Sequence, residues 1–128
     1  MPIITIKLAA GASVEGKEAL LSGMREALLE AFSIGDGSCY ALLDEYPPER
    51  LIFPAWESGA VLVEVRCFPG RGAAQKERFY ALAAQAAEQA GFVARSLLVM
   101  MVEPPLVIWG LMGGKSAATV PGLGADTN

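Results

Sequence analysis

A proline follows Met1, and the residues after it, Ile3-Ile4-Thr5-Ile6-Lys7-Leu8, alternate as a β-strand does. Aminopeptidases remove Met ahead of a small residue, proline included, so Pro2 is expected to become the terminus. That sets a secondary amine at the start of a strand anchored on one face by Ile4, Ile6 and Leu8. A terminal amine titrates at roughly 8, and burial or a neighbouring cation lowers that value. The group is then poised as a base or acid near neutral pH. The plainer alternative is that Pro2 merely follows Met1, and a retained Met1 would leave no amine there at all.

The chain has no histidine, so the commonest metal ligand and general base is missing. Cys39 and Cys67 have neither metal-site nor redox-pair spacing. Both fall in expected strands and read as reduced, buried and inert. No metal and no cofactor is expected. Arg71, within Gly70-Arg71-Gly72 just ahead of a helical segment, is a second candidate. A cation there opposes the helix dipole, whereas a carboxylate bound there would gain both the guanidinium fork and free helix N–H groups. The alternative is a solvated or interfacial ion pair.

The elements that must position these groups follow from periodicity. A strand over 2–8 is broken at Gly11-Ala12-Ser13, where Ser13 is a suitable N-cap. A helix over 14–32 carries Val14, Leu21, Met24, Leu28 and Phe32 as one apolar stripe. A second strand covers 39–43, a loop with Phe53 and Trp56 covers 46–60, and a third strand covers 61–67. A second helix is expected over 73–90, a fourth strand over 96–102, and a short fifth over 106–112 closed by Gly113-Gly114. Glu45 and Glu103 read as solvated acids at strand ends. Lys115-Ser116 after two glycines resembles the end of a phosphate-binding loop, but Trp109 stands where that loop needs its first glycine.

The order strand–helix–strand occurs twice. Gly11 and Gly70, and the pairs Lys17-Glu18 and Lys76-Glu77, are each offset by 59 residues. Each second strand runs into an acid and a double proline, Glu45-Tyr46-Pro47-Pro48 and Glu103-Pro104-Pro105. Two copies make a duplication rather than a solenoid. The fold class is therefore α/β (α+β): two tandem βαβ units, residues 2–45 and 61–112, forming a four-stranded sheet with both helices on one face. They are expected to form one domain over 2–116, with a flexible tail at 117–128.

With 53% hydrophobic and 19% charged residues, the chain is apolar enough for subunits to cover the second face of the sheet. No apolar run reaches the roughly 18 residues of a membrane span, and Met1-Pro2 lacks the basic start of a signal peptide. A net charge of −4 without a basic run argues against nucleic acid as a partner. The cytoplasm is the expected address.

A duplicated βαβ unit beginning Met1-Pro2 resembles the tautomerase superfamily, including its 4-oxalocrotonate tautomerase-like and malonate semialdehyde decarboxylase-like fused members. The resemblance rests on Pro2 before Ile3-Ile4-Thr5-Ile6, on Gly11-Ala12-Ser13 and Gly70-Arg71-Gly72, and on Trp109-Gly110-Leu111-Met112-Gly113-Gly114. It covers about residues 2–116. It implies an N-terminal proline acting as acid–base in a hydrophobic pocket, and a homotrimer. It implies an arginine, here Arg71, that binds the carboxylate of a small substrate. Trp109 matches the family's pocket aromatic. Tyr40 lies next to the usual polar pocket position and could donate to a developing enolate. Ser38 stands where the decarboxylases and hydratases have an aspartate, and Ala12 where the single-unit enzymes have an arginine. These departures favour keto–enol tautomerisation of a small 2-oxo or 2-hydroxy-diene carboxylate. A malonate semialdehyde decarboxylase-like or hydratase activity, or a non-catalytic trimeric binding protein, are the alternatives. Val61 occupies the second repeat's counterpart of Pro2, so one amine per chain is expected.

Overall fold

The computed structural model describes residues 2–35, 39–54 and 59–123. Strand β1, Ile3–Ala9, buries Ile4, Ile6 and Leu8 on one face and turns Ile3, Thr5 and Lys7 to the other. Helix α1, Val14–Phe32, starts where the Ser13 hydroxyl accepts from the Gly16 N–H at 3.0 Å. It ends at Ser33, in the left-handed conformation that closes a last turn. Strand β2, Tyr40–Tyr46, returns parallel to β1. Strand β3, Val61–Arg66, helix α2, Ala73–Gln89, and strand β4, Leu97–Val102, repeat the unit. β4 runs parallel to β3. The units join through β1 and β3, which are antiparallel, giving the order β2-β1-β3-β4. The duplication predicted from the 59-residue offset is present as a mixed sheet.

Both helices pack on the face that presents Ile4, Ile6, Leu8, Val61, Val63 and Val65. The buried row of α1 is Leu20, Met24, Ala27, Leu28, Ala31 and Phe32. It differs from the expected stripe: Val14 is exposed and Leu21 only half-buried. Small residues decide the difference. Gly23 and Ala27 let α1 approach Ala83, Ala86 and Ala87 of α2, and a Cβ on Gly23 would stand 3.2 Å from that of Ala86. A stripe counted from large side chains misses that contact.

Among the described residues no helix packs on the opposite face of the sheet. Its register sets Leu42, Thr5, Glu64 and Met100 in one row and Asp44, Lys7, Leu62 and Leu98 in the next. Tyr40, Leu42, Leu98 and Met100 are exposed on it. No helix among the described residues is long and apolar enough to cross a membrane.

The C-terminal segment departs from expectation. Pro104 and Pro105 supply no N–H for a sheet ladder, and the chain instead enters a 3-10 turn at Leu106–Ile108. Only Gly110–Leu111 (β5) and Lys115–Ser116 (β6) are strand, paired across a turn with positive φ at Met112, Gly113 and Gly114. Packed structure also continues where the flexible tail was expected to begin. Ala117–Thr119 forms a further 3-10 turn, Ala117 is fully buried, and its N–H bonds the Trp109 carbonyl at 2.9 Å. Gly23→Leu should lower stability by about 1–3 kcal/mol, read from the urea midpoint. An unchanged midpoint would show that the helices do not meet at Gly23.

Candidate active site

Because β1 and β3 are antiparallel, the start of one lies beside the end of the other. Ile3 pairs with Arg66, so the next position sets Pro2 opposite Cys67. On the other side the Pro2 carbonyl accepts from the Tyr40 N–H at 3.0 Å. Pro2 is thus tied into the centre of the sheet and is fully buried, on the helix side with Ile4 and Ile6. Chain starts ordinarily fray; this one is held by strands on both flanks.

The segment leaving β3 completes the site. Cys67 donates its N–H to the Val102 carbonyl at 3.1 Å, and the chain then turns at Gly70, whose φ of +129° suits only glycine. The turn sends the Arg71 side chain inward. Its Nη1 donates to the Phe68 carbonyl at 3.3 Å, and its Cζ stands 4.4 Å from the centroid of Phe32 at the end of α1. Arg71 is only 5% exposed, and its Nε is buried with no hydrogen-bond partner. Among the described residues no carboxylate is paired directly with this guanidinium. Burial holds its pKa below the ordinary value, against weaker opposing pulls from Cys67 and Glu103. The Cys67 thiol is pushed up, chiefly by burial, with Arg71 opposing. The clamp expected at a helix N-terminus is therefore an inward-facing cation on an aromatic ring.

Trp109 lies at the same end. It meets Phe68 edge-on at 5.0 Å between centroids, and its indole N–H is spent on the Pro104 carbonyl at 3.0 Å. It can offer a ring surface but no donor. Tyr40 is placed elsewhere: paired with Ile3, it lies exposed on the open face, across the sheet from the Pro2 ring. A groove of about 540 Å³ along β2 takes in Ile3, Leu21, Cys39 and Tyr40 but neither Pro2 nor Arg71. Ser38 and Trp56 lie outside the described residues, and Phe53 is half-buried in its loop.

Glu45 and Glu103 are not merely solvated acids. Glu45 pairs with Lys17 at 2.9 Å and Glu103 with Lys76 at 2.7 Å. Each bond ties the first turns of a helix to the end of its own repeat's second strand, and Glu103 raises the Lys76 pKa. Phe32, Phe68, Cys67 and the Lys76–Glu103 pair were missed by sequence reasoning. The 59-residue offset already paired the two lysines, but the antiparallel join that brings Cys67 to Pro2 left no mark on the sequence.

Comparison with known proteins places this architecture. Residues 39–112 match a family model described as tautomerase enzyme, and residues 2–54 match a second model of the same description. The chain belongs to the tautomerase family. No curated protein matches it. Among solved structures, Pt0534 inactivated by 2-oxo-3-pentynoate superimposes with a TM-score of 0.84 at 22% identity, over 91% of this chain and 96% of that one. Malonate semialdehyde decarboxylase gives 0.78 at 23%, over 89% and 93%. A fused 4-OT, an asymmetric trimer, gives 0.81 at 26%, over 91% and 96%. At such identities the likeness is one of fold.

The buried Arg71 guanidinium, with no directly paired carboxylate among the described residues, carries a stability signature. An unpaired buried cation costs more than it returns, so Arg71→Met should leave stability unchanged or raise it by about 1 kcal/mol in urea unfolding. A loss of about 3 kcal/mol or more would mark Arg71 as a structural cation instead.

Proposed function

We propose that the chain is a cofactor-independent tautomerase that uses Pro2, exposed by removal of Met1, as its acid–base group. The substrate is a small 2-oxo or 2-hydroxy-diene carboxylate held by Arg71. The supporting observation is that a fully buried Pro2 lies at the same end of the sheet as a buried Arg71 with no carboxylate paired to it among the described residues. A cation close by favours the neutral amine, which is the form a base requires.

The reaction then needs no other group. The neutral proline nitrogen takes the proton of the enol hydroxyl, and the O–H electrons form the carbonyl. The enol double bond shifts, and the far carbon takes a proton back from the prolinium. Nothing is gained or lost, and the product is an isomer. Phe68 and Trp109 supply an apolar wall that keeps water from competing for the proton.

A homotrimer fits this reading. Fused 4-OT structures are trimers, and the exposed Leu42, Leu98 and Met100 form an apolar surface suited to a second copy. Decarboxylation or hydration is the second reading, favoured by the likeness to malonate semialdehyde decarboxylase and by the Glu103 carboxylate near Cys67.

The test is intact mass and peptide mapping after incubation with 3-bromopropiolate. The expected result is one adduct per chain, on Pro2, in protein lacking Met1. Pro2→Ala should lose the adduct and about 10²–10⁴ in kcat/KM. Retained Met1 in natively expressed protein would end the proline mechanism, and released carbon dioxide or added water would replace isomerisation with the second reading.

A further inference from the structure

The charges gathered around Arg71 determine the charge of the ligand it accepts. Cys67 bonds to Val102, so Glu103 follows directly at the end of β4, beside the exit of β3. The Glu103 carboxylate is 2.7 Å from Lys76 Nζ, and Lys76 sits in the first turns of α2, its N–H on the carbonyl of the cap residue Gly72. Arg71 immediately precedes that cap, with Nε buried and unbonded. Cys67 lies within electrostatic reach of all three groups. Lys76 and Glu103 cancel each other. Among the described residues, Arg71 is left with no carboxylate paired directly to it.

The first repeat closes the same tie but has no cation at the position equivalent to Arg71. Its Lys17–Glu45 pair is also closed, and the counterpart of Arg71 is Ala12, packed against the core. Ala12 supplies no cation at the first repeat's position equivalent to Arg71.

We propose that the site selects small monocarboxylates over dicarboxylates, because Glu103 neutralises Lys76 and leaves Arg71 to match one carboxylate. This rests on the reading of Arg71 as the ligand's carboxylate partner. A second carboxylate on the ligand would meet an ion pair already closed and a Glu103 of its own sign, and like charges brought together cost affinity. Glu103 is then a specificity-determining residue, acting through Lys76 rather than on the reacting atoms.

The experiment is calorimetric titration with 2-oxopentanoate and 2-oxohexanedioate, run beside turnover of the matching 2-hydroxydienoates. Wild type should bind the monoacid about tenfold more tightly or better. Glu103→Gln, which keeps the shape and releases the Lys76 charge, should erase or invert that ratio by improving the diacid. Lys76→Gln, leaving Glu103 without its counter-ion, should weaken both acids and the diacid more. Equal or tighter diacid binding by wild type overturns the inference, as does a ratio unmoved by Glu103→Gln, or no binding of either acid. A monoacid preference without isomerisation would defeat the Pro2 chemistry and leave the charge inference standing.

Discussion

A guanidinium taken out of water with no carboxylate paired to it among the described residues is the constraint on which the rest of this structure turns. Removing such a charge from water costs several kcal/mol even after relaxation. A cation–π contact with Phe32 and a single carbonyl from Phe68 recover only part of that. The fold nonetheless holds Arg71 in place, through the turn at Gly70, the end of α1 and the exit of β3. Buried uncompensated charge is characteristic of a site waiting for its counter-ion. That is why the arginine, more than the family match, directs attention to small anions.

The duplication explains why only one end of the sheet is built this way. The two repeats share their crossovers and their lysine–glutamate ties. They differ where chemistry is expected. Pro2, Cys67 and Arg71 at one end correspond to Val61, Leu8 and Ala12 at the other, all of them apolar and at least partly packed into the core. At that end the position of Arg71 is taken by the apolar Ala12, beside a Lys17–Glu45 pair that is already closed.

Much of the fold was legible because it is local. Alternation set β1 and β3 to within a residue, and the Ser13 cap fixed the start of α1. Non-local packing escaped. Leu20 rather than Leu21 faces the core because Gly23 and Ala27 seat α1 against α2, a contact invisible to a count of large residues. The segment after Pro105 reads as strand by composition, yet two prolines in succession deny it a ladder. Pro2 and Arg71 were singled out by type and position, and the fold sets both at one end of the sheet. The direction of the arginine, the thiol of Cys67 and the placement of Tyr40 on the open face depend on register and on φ at Gly70, which no motif states.

The central claim is that the Pro2 amine and the Arg71 cation share one environment. The direct measurement is an NMR pH titration of the Pro2 nitrogen in protein grown with nitrogen-labelled proline, as wild type and as Arg71→Met. The account predicts a free amine titrating below the ordinary terminal value of about 8, and moving back toward it when the guanidinium is removed. An amide signal from retained Met1, or an amine at the ordinary value that ignores Arg71, would contradict it.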